Sequence, residues 1–327
     1  MALLDIIITH WREPWDVGRK MFEMLRMQRG TDPEKWNVIL VQDGPGGGLD
    51  VARILREYPF VKTVLEVPAG GVSAARNAGL DESNAEWVMF CDFDDCFYTI
   101  DSLMVVISCL EGAGERGTLI WSDLWIEGRT EDGQWAKKIS KWNTVFVHGK
   151  IYRREMLKQN GIRFDEELCY SEDAMFNALV ALTVPAGTVA RLPEPVYTWC
   201  YREESLSNYT GGNAKRNLSL YRKRIKLIEE YEKRGIVYDM NASAARAMLE
   251  YYWEMNGEEP PEGGTREEWE ERIREITRRW PKPIARITPE DRRRLLQIVE
   301  KNAKDKKLAG GRERENKAEW LRRMGAM

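Results

Sequence analysis

Apolar positions in the first hundred residues fall into two alternating patterns. Short runs of strand formers occupy 3–9 (Leu-Leu-Asp-Ile-Ile-Ile-Thr), 37–42, 61–67 and 87–92. Between them lie stretches with helical spacing at 15–29 (after Pro14), 50–57 and 72–80. Continuous apolar runs, rather than in–out alternation, predict strands buried on both faces. Strand–helix repetition predicts right-handed crossovers and a mainly parallel sheet covered by helices. In such sheets ligands bind beyond the carboxyl ends of the strands. Residues 9–12, 42–44 and 92–95 all fall at such ends, so one cleft can collect them.

The middle of the chain reads as mixed. A helix is expected over 101–110, strands near 119–127 and 145–148, helices at 153–160 and 172–182, and an apolar stretch at 196–201 after Pro193 and Pro195. The last third becomes helical. Leu218, Tyr221, Ile225 and Ile228 share a face, a second helix spans 242–256, and Thr265 with Glu268 forms a capping box ahead of Trp269 and Ile273. Thr288-Pro289 opens another helix, with proline in its first turn.

Composition narrows the class. A chain of 327 residues can build one large core or two domains. Its longest apolar runs are far too short to cross a bilayer. Asp5 interrupts the first run and no basic segment precedes it, so a cytoplasmic protein without a signal peptide is expected. The five cysteines are odd in number, lack metal-type spacing and read as small buried hydrophobes. With only two histidines, the chain argues against a histidine-rich metal centre. Net charge is −3, but 281–327 holds fourteen Lys or Arg against seven Asp or Glu. A basic tail of this kind is either a solvated helix face or a surface for anionic lipid or nucleic acid.

Candidate chemistry concentrates at the end of the fourth strand. Asp92-Phe93-Asp94-Asp95 places three carboxylates within four residues where the chain leaves the sheet. Like charges held so close favour a cation, and hard oxygen ligands suit Mg²⁺ or Mn²⁺, which commonly hold a diphosphate. Taken alone, the tetrapeptide also admits a second reading, a solvated acidic turn. Gly70-Gly-Val-Ser-Ala-Ala-Arg-Asn-Ala-Gly79 runs from glycines into a helix, with Arg76 and Asn77 in its second turn facing the cleft. In Tyr170-Ser-Glu-Asp-Ala-Met-Phe, Asp173 opens a helix that Met175, Phe176 and Leu179 anchor in the core. A carboxylate there is stabilised as the anion, whether it caps the helix or accepts a proton. Gly44-Pro-Gly-Gly-Gly48 lacks the Lys-Ser/Thr of a phosphate loop and reads as a turn.

These elements, together with Ile6-Ile-Ile-Thr9, Gln42-Asp43-Gly44, Val147-His-Gly-Lys-Ile-Tyr-Arg-Arg154 and Ser171-Glu172-Asp173, occur in an order that resembles the family 2 glycosyltransferases over roughly 3–208. The resemblance implies a GT-A (Rossmann-like) α/β fold in 1–210, with a nucleotide-sugar half at 1–98 and an acceptor half at 99–210. A helical, C-terminally basic region at 211–327 follows. The implied function is metal-dependent, inverting transfer of a sugar from a nucleotide-sugar donor, usually a UDP-sugar, to a saccharide or lipid-linked acceptor.

By position, Asp92 and Arg76 are expected at the nucleotide, Asp94 on Mn²⁺ or Mg²⁺ and Asp95 beside it. Thr9 and Trp11 are expected around the base. Asp173 is expected as general base, with Glu172 orienting it. Arg202, in the Tyr-Arg…Ser-x-Ser ending, is expected over the diphosphate, and Lys150 near donor or acceptor. His148 either completes metal ligation or serves an interior or acceptor-facing role. Gln42 stands where many members carry a second aspartate before Asp43, so its amide would replace a carboxylate at the base edge. The basic tail is expected at an anionic membrane. The alternatives are transfer to hydroxymethylated DNA bases, in which that tail follows phosphates, and a non-catalytic nucleotide-sugar-binding scaffold.

Overall fold

The computed structural model describes residues 2–130, 132–141, 143–185 and 187–202. Beyond these it describes Ser219, Lys223, Lys226, Leu227, Glu229, Glu230, Lys233, Arg234, Glu267 and Glu271. The first half alternates as the apolar pattern predicts: β1 Leu4–His10, α1 Trp15–Arg26, β2 Trp36–Asp43, α2 Val51–Glu57, β3 Val61–Val67, α3 Val72–Glu82 and β4 Trp87–Asp92. There follow β5 Cys96–Phe97, α4 Ser102–Gly112, β6 Leu119–Trp121, β7 Leu124–Arg129, β8 Trp135–Ser140, β9 Lys150–Arg153, α5 Arg154–Gln159, α6 Glu172–Thr183, β10 Val189–Arg191 and β11 Tyr197–Trp199.

Seven strands form the main sheet in the order β10-β6-β9-β4-β1-β2-β3. All neighbours are parallel except β9, which runs antiparallel to both β4 and β6. A second sheet has the order β5-β11-β7-β8. Every residue of β1 is buried. Ile6 and Ile8 point into a core formed with Met21, Phe22 and Leu25 of α1 and Leu103 and Val106 of α4. Ile7 points the other way, into a core with Ala75 of α3 and Phe176 and Val180 of α6. Each such side chain contributes about 1.5–3 kcal/mol. That two-sided burial is why the strand is read as an unbroken apolar run.

Two close approaches position the site. At Gly79 an added Cβ would lie 2.4 Å from the Ile7 Cγ2, so α3 can settle on the sheet only without a side chain there. At Gly18 an added Cβ would lie 2.0 Å from the Phe93 ring. Phe93 is thereby driven into the α1 core, 5.7 Å from the Phe22 ring, and pins the acidic turn from below. Asp5, inside β1, is a structural carboxylate. It accepts from the Ser83 hydroxyl and the Asn84 and Ala85 amides, tying the α3–β4 connection to the sheet.

Several expectations are corrected. The 119–127 stretch is two strands in different sheets, broken at Ser122, whose amide donates to the Gly149 carbonyl. Residues 145–148 form no strand, because the Val147 amide goes to a side chain and Gly149 turns the chain with φ 72°. Asn77 does not face the cleft; its amide group exchanges hydrogen bonds with the Phe164 backbone. The cysteines are not uniformly buried: Cys169 is exposed, and Cys96 and Cys109 are half-buried.

The chain divides into two compact units. One comprises Met1–Glu127, Lys137–Glu166 and Glu172–Tyr201; the other comprises Gly128–Ala136, Glu167–Ser171 and Arg202–Met327. Within the second unit Ser219, Lys223, Lys226 and Leu227 are helical. There the Ser219 hydroxyl donates to the Tyr170 carbonyl and Lys223 donates to the Ser171 hydroxyl. Leu218, Tyr221, Ile225, Ile228, the later predicted helices and the basic segment lie outside the described residues. No helix among the described residues is long and apolar enough to cross a membrane.

Candidate active site

The carboxyl ends of β1, β2 and β4 are in line, with Thr9 opposite both Val41 and Asp92 and His10 opposite Gln42. The Thr9 hydroxyl lies 3.4 Å from the Asp92 Oδ1 and donates to it. The acidic turn closes through the Asp95 amide on the Asp92 carbonyl. Asp94 is half-buried and Asp95 fully buried. Asp95 accepts from the Tyr197 hydroxyl at 2.8 Å and the Cys200 amide at 2.7 Å. The Tyr197 oxygen in turn accepts from the Asp92 amide at 3.0 Å, so one strand of the second sheet grips both ends of the turn. Burial holds the Asp95 carboxyl well above the usual range against the pull of His148, and the Asp94 and Asp92 charges push it the same way.

Arg76 connects this turn to α6. Its side chain is 3 % exposed. One terminal nitrogen donates to Asp92 at 2.9 Å, and the other to Asp173 at 2.5 Å and Glu172 at 3.1 Å. The guanidinium also lies over the Phe164 ring. Burial alone would lower its pKa, but Asp173, Asp92 and Glu172 overcome that and hold the proton firmly. Asp92 is held well below the usual carboxylate range: burial opposes the charge, and His148 and Arg76 more than offset it.

The loop 143–149, in which a strand is expected at 145–148, is instead built around Asp173. The Val147 amide donates to the Asp173 Oδ2 at 3.1 Å. Asn143 caps the Val145 and Phe146 amides, and the Asn177 amide donates to the Val145 carbonyl. Asn177 is itself held by the Tyr152 hydroxyl. Lys150 is 1 % exposed; its ammonium donates to the Phe146 carbonyl and stands over the Trp121 ring. Burial lowers its pKa to about 7. Lys150 is thus turned into the protein, where it secures the loop that presents Val147.

Burial and the adjacent Asp173 raise Glu172 to about 7. A raised folded-state pKa stabilises the fold fully below the unfolded value of 4.5 and loses that contribution as pH climbs through 7. Glu172→Gln, which mimics the protonated form, should therefore match the parent near pH 4.5 and become more stable above pH 7, by on the order of 1–3 kcal/mol. Melting temperatures of both proteins from pH 4.5 to 8 check this. A uniform loss at every pH would contradict it.

At the carboxyl end of β2, Gln42 and Asp43 are both buried. Asp43 Oδ1 accepts the Gly70 and Gly71 amides at 2.8 and 3.2 Å, fixing the loop that starts α3; Gly71 has φ 85°. Gln42 and His10 sit beneath the glycine turn so closely that a Cβ on Gly47 would lie 2.9 Å from the Gln42 Oε1. Trp11 is 48 % exposed, beside Arg12 in the left-handed region. Arg202 is half-buried and belongs to the second unit.

Three groups among the described residues could share a cation: Asp92, Asp95 and His148, whose donor atoms lie within 4.8 Å of one another. The His148 Nε2 is 3.1 Å from the Asp92 Oδ2, yet neither ring nitrogen makes a hydrogen bond. The ring stacks on Tyr197 at 5.2 Å. Although burial disfavours its charge, Asp92 and Asp95 raise its pKa to about 9. The two carboxylates suit Mn²⁺ or Mg²⁺, and the imidazole could join them only after giving up its proton.

Sequence reasoning brought together Thr9, Arg76, Asp92, Asp95, Glu172 and Asp173. It missed Tyr197, whose hydroxyl bridges Asp92 and Asp95, and Asn177, which holds the loop that presents the Val147 amide to Asp173.

Comparison with known proteins agrees with this architecture. Residues 5–161 match the model of glycosyl transferase family 2. The uncharacterized glycosyltransferase YibD of Escherichia coli (strain K12) is 26 % identical over 257 residues, covering 70 % of each chain. The poly(ribitol-phosphate) beta-N-acetylglucosaminyltransferase TarS of Staphylococcus aureus is 26 % identical over 155 residues, covering 43 % of this chain and 25 % of that protein. The crystal structure of S. aureus TarS 1-349 in complex with UDP-GlcNAc superposes with a TM-score of 0.59 at 18 % identity, covering 99 % of this chain and 92 % of that one. With this sheet order and these matches, the chain has the α/β GT-A fold, and its residues 5–161 form a glycosyl transferase family 2 domain.

Proposed function

We propose that this protein transfers a sugar, with inversion, from a UDP-sugar to a hydroxyl of a saccharide or lipid-linked saccharide, using a divalent cation. The observation that carries this reading is Arg76, which holds Asp92 of the acidic turn and Asp173 of α6 on one guanidinium. A leaving-group site and a proton acceptor then border one pocket. The UDP-sugar assignment draws on the UDP-GlcNAc complex of TarS.

In this reading Asp92 and Thr9 face the nucleotide, and Trp11 offers an exposed ring for stacking on the base. Gln42 presents an amide to the base edge, and Asp43 supports the glycine loop. Asp173 removes the proton from the acceptor hydroxyl as that oxygen attacks the anomeric carbon from the face opposite the diphosphate. One displacement with one base inverts the centre. Glu172 orients Asp173, and Lys150 secures the loop that presents Val147 to it. Asp94, with Asp92, Asp95 and His148 adjoining, would hold Mn²⁺ or Mg²⁺, which supplies neutralisation of the departing diphosphate.

The test is a panel of nucleotide sugars with Mn²⁺, scored by melting temperature and by release of the nucleoside diphosphate. A UDP-sugar should raise the melting temperature by several degrees, as ligand at about 100 Kd stabilises by about 2.7 kcal/mol. The rise should require the metal and fall sharply in Asp94→Asn. If no nucleotide sugar is bound or turned over, the assignment fails.

A further inference from the structure

Two thiols outside the proposed chemistry meet at the edge of the second sheet. Cys96 opens β5 directly after Asp95, and Cys200 directly follows β11. The strands are antiparallel with Thr198 opposite Cys96, so Cys200, two residues on, projects from the same side as Thr198. The two sulfurs lie 3.6 Å apart across 104 residues of chain. Cys96 is half-buried and reachable, whereas Cys200 is 5 % exposed. A disulfide needs about 2.05 Å between sulfurs, a closure of roughly 1.5 Å that side-chain rotation can supply.

We propose that Cys96 and Cys200 are a redox-responsive pair that closes to a disulfide under a peroxide oxidant. Cys96, the more accessible sulfur, takes an oxygen from hydrogen peroxide, becoming a sulfenic acid and releasing one water. The Cys200 sulfur then attacks the Cys96 sulfur, the S–S bond forms, and the sulfenic oxygen leaves as a second water with the Cys200 proton. The two thiols lose two electrons and the peroxide gains them.

The bond would brace the acidic turn. Cys96 adjoins Asp95 in the chain, and the Cys200 amide donates to the same carboxylate at 2.7 Å. Closing so long a loop also restricts the unfolded chain. The oxidised form should therefore melt higher than the reduced one. None of this depends on which donor the enzyme uses.

The experiment treats the fully reduced, full-length chain with equimolar hydrogen peroxide. It then counts free thiols, maps cross-linked peptides and measures melting with and without dithiothreitol. The expected result is loss of two of the five thiols, a mass lower by two hydrogens, one Cys96–Cys200 cross-link, and a melting temperature several degrees higher that dithiothreitol reverses. Cys96→Ser should remove both the cross-link and the rise. The wild-type peptide map decides the matter even if a variant folds poorly. Five titratable thiols after treatment, a cross-link at any other pair, or only irreversible sulfinic products would overturn the proposal.

Discussion

Asp173→Asn is expected to lower the rate of sugar transfer by about 10²–10⁴-fold, the range that a positioned general base contributes. The substitution keeps the shape and one of the two acceptors: the amide oxygen can still serve the Val147 amide, while the NH2 takes the position facing Arg76. Arg76 keeps Asp92 and Glu172. What disappears is the proton-accepting carboxylate. Donor binding, read as the melting shift caused by a UDP-sugar with Mn²⁺, should change little, because the acidic turn is untouched. The loss should therefore fall on kcat. A variant within tenfold of the parent would remove Asp173 from the chemistry and leave it as a partner of Arg76. Asp92→Asn separates the two halves of the argument, since it should weaken the donor-dependent melting shift itself.

How much of this was legible before the coordinates depends on the kind of interaction. The strands β1, β2 and β4 are buried on both faces, so hydrophobic burial alone writes them into the chain as apolar runs, whereas β3 at the sheet edge is only partly buried. The acidic turn and the helix opening at Glu172 were equally visible, because charge set against an apolar run is a local signal. The loop 143–149 was not. Val145, Phe146 and Val147 look like strand, but the backbone there is satisfied by Asn143, Asn177 and Asp173 side chains, a pattern with no periodicity. Nor was the job of Tyr197 visible: a tyrosine in a strand reads as core, and only the fold places its hydroxyl between Asp92 and Asp95. The short strands β5 and β10 carry too few residues for any pattern, and β8 is largely exposed. The contact between Arg76 and Asp173 spans 97 positions, and only the fold reveals it.

Arg76→Met should be the most destabilising single change in the site, by about 3–5 kcal/mol, as is usual when one member of a buried ionic cluster is removed. Methionine fills much of the volume and can still pack on Phe164, but it leaves Asp92, Glu172 and Asp173 with no guanidinium. For a domain of this size the melting temperature should fall by roughly 10 °C. Arg76→Lys should recover only part of this, since one ammonium cannot span acceptors that Arg76 reaches with two separate nitrogens. The pH dependence identifies the cause. Asp92 has a folded-state pKa depressed from 3.8, so its pairing stabilises the protein above that value and is lost as pH falls through the depressed one. The gap between parent and Arg76→Met should accordingly be widest near pH 7 and narrow as the pH falls through the range where Asp92, orphaned in the variant, takes up a proton that the parent still refuses. A gap that stays constant from pH 7 down to pH 3 would mean that Arg76 acts through packing rather than charge, and the ionic link between acidic turn and α6 would lose its support.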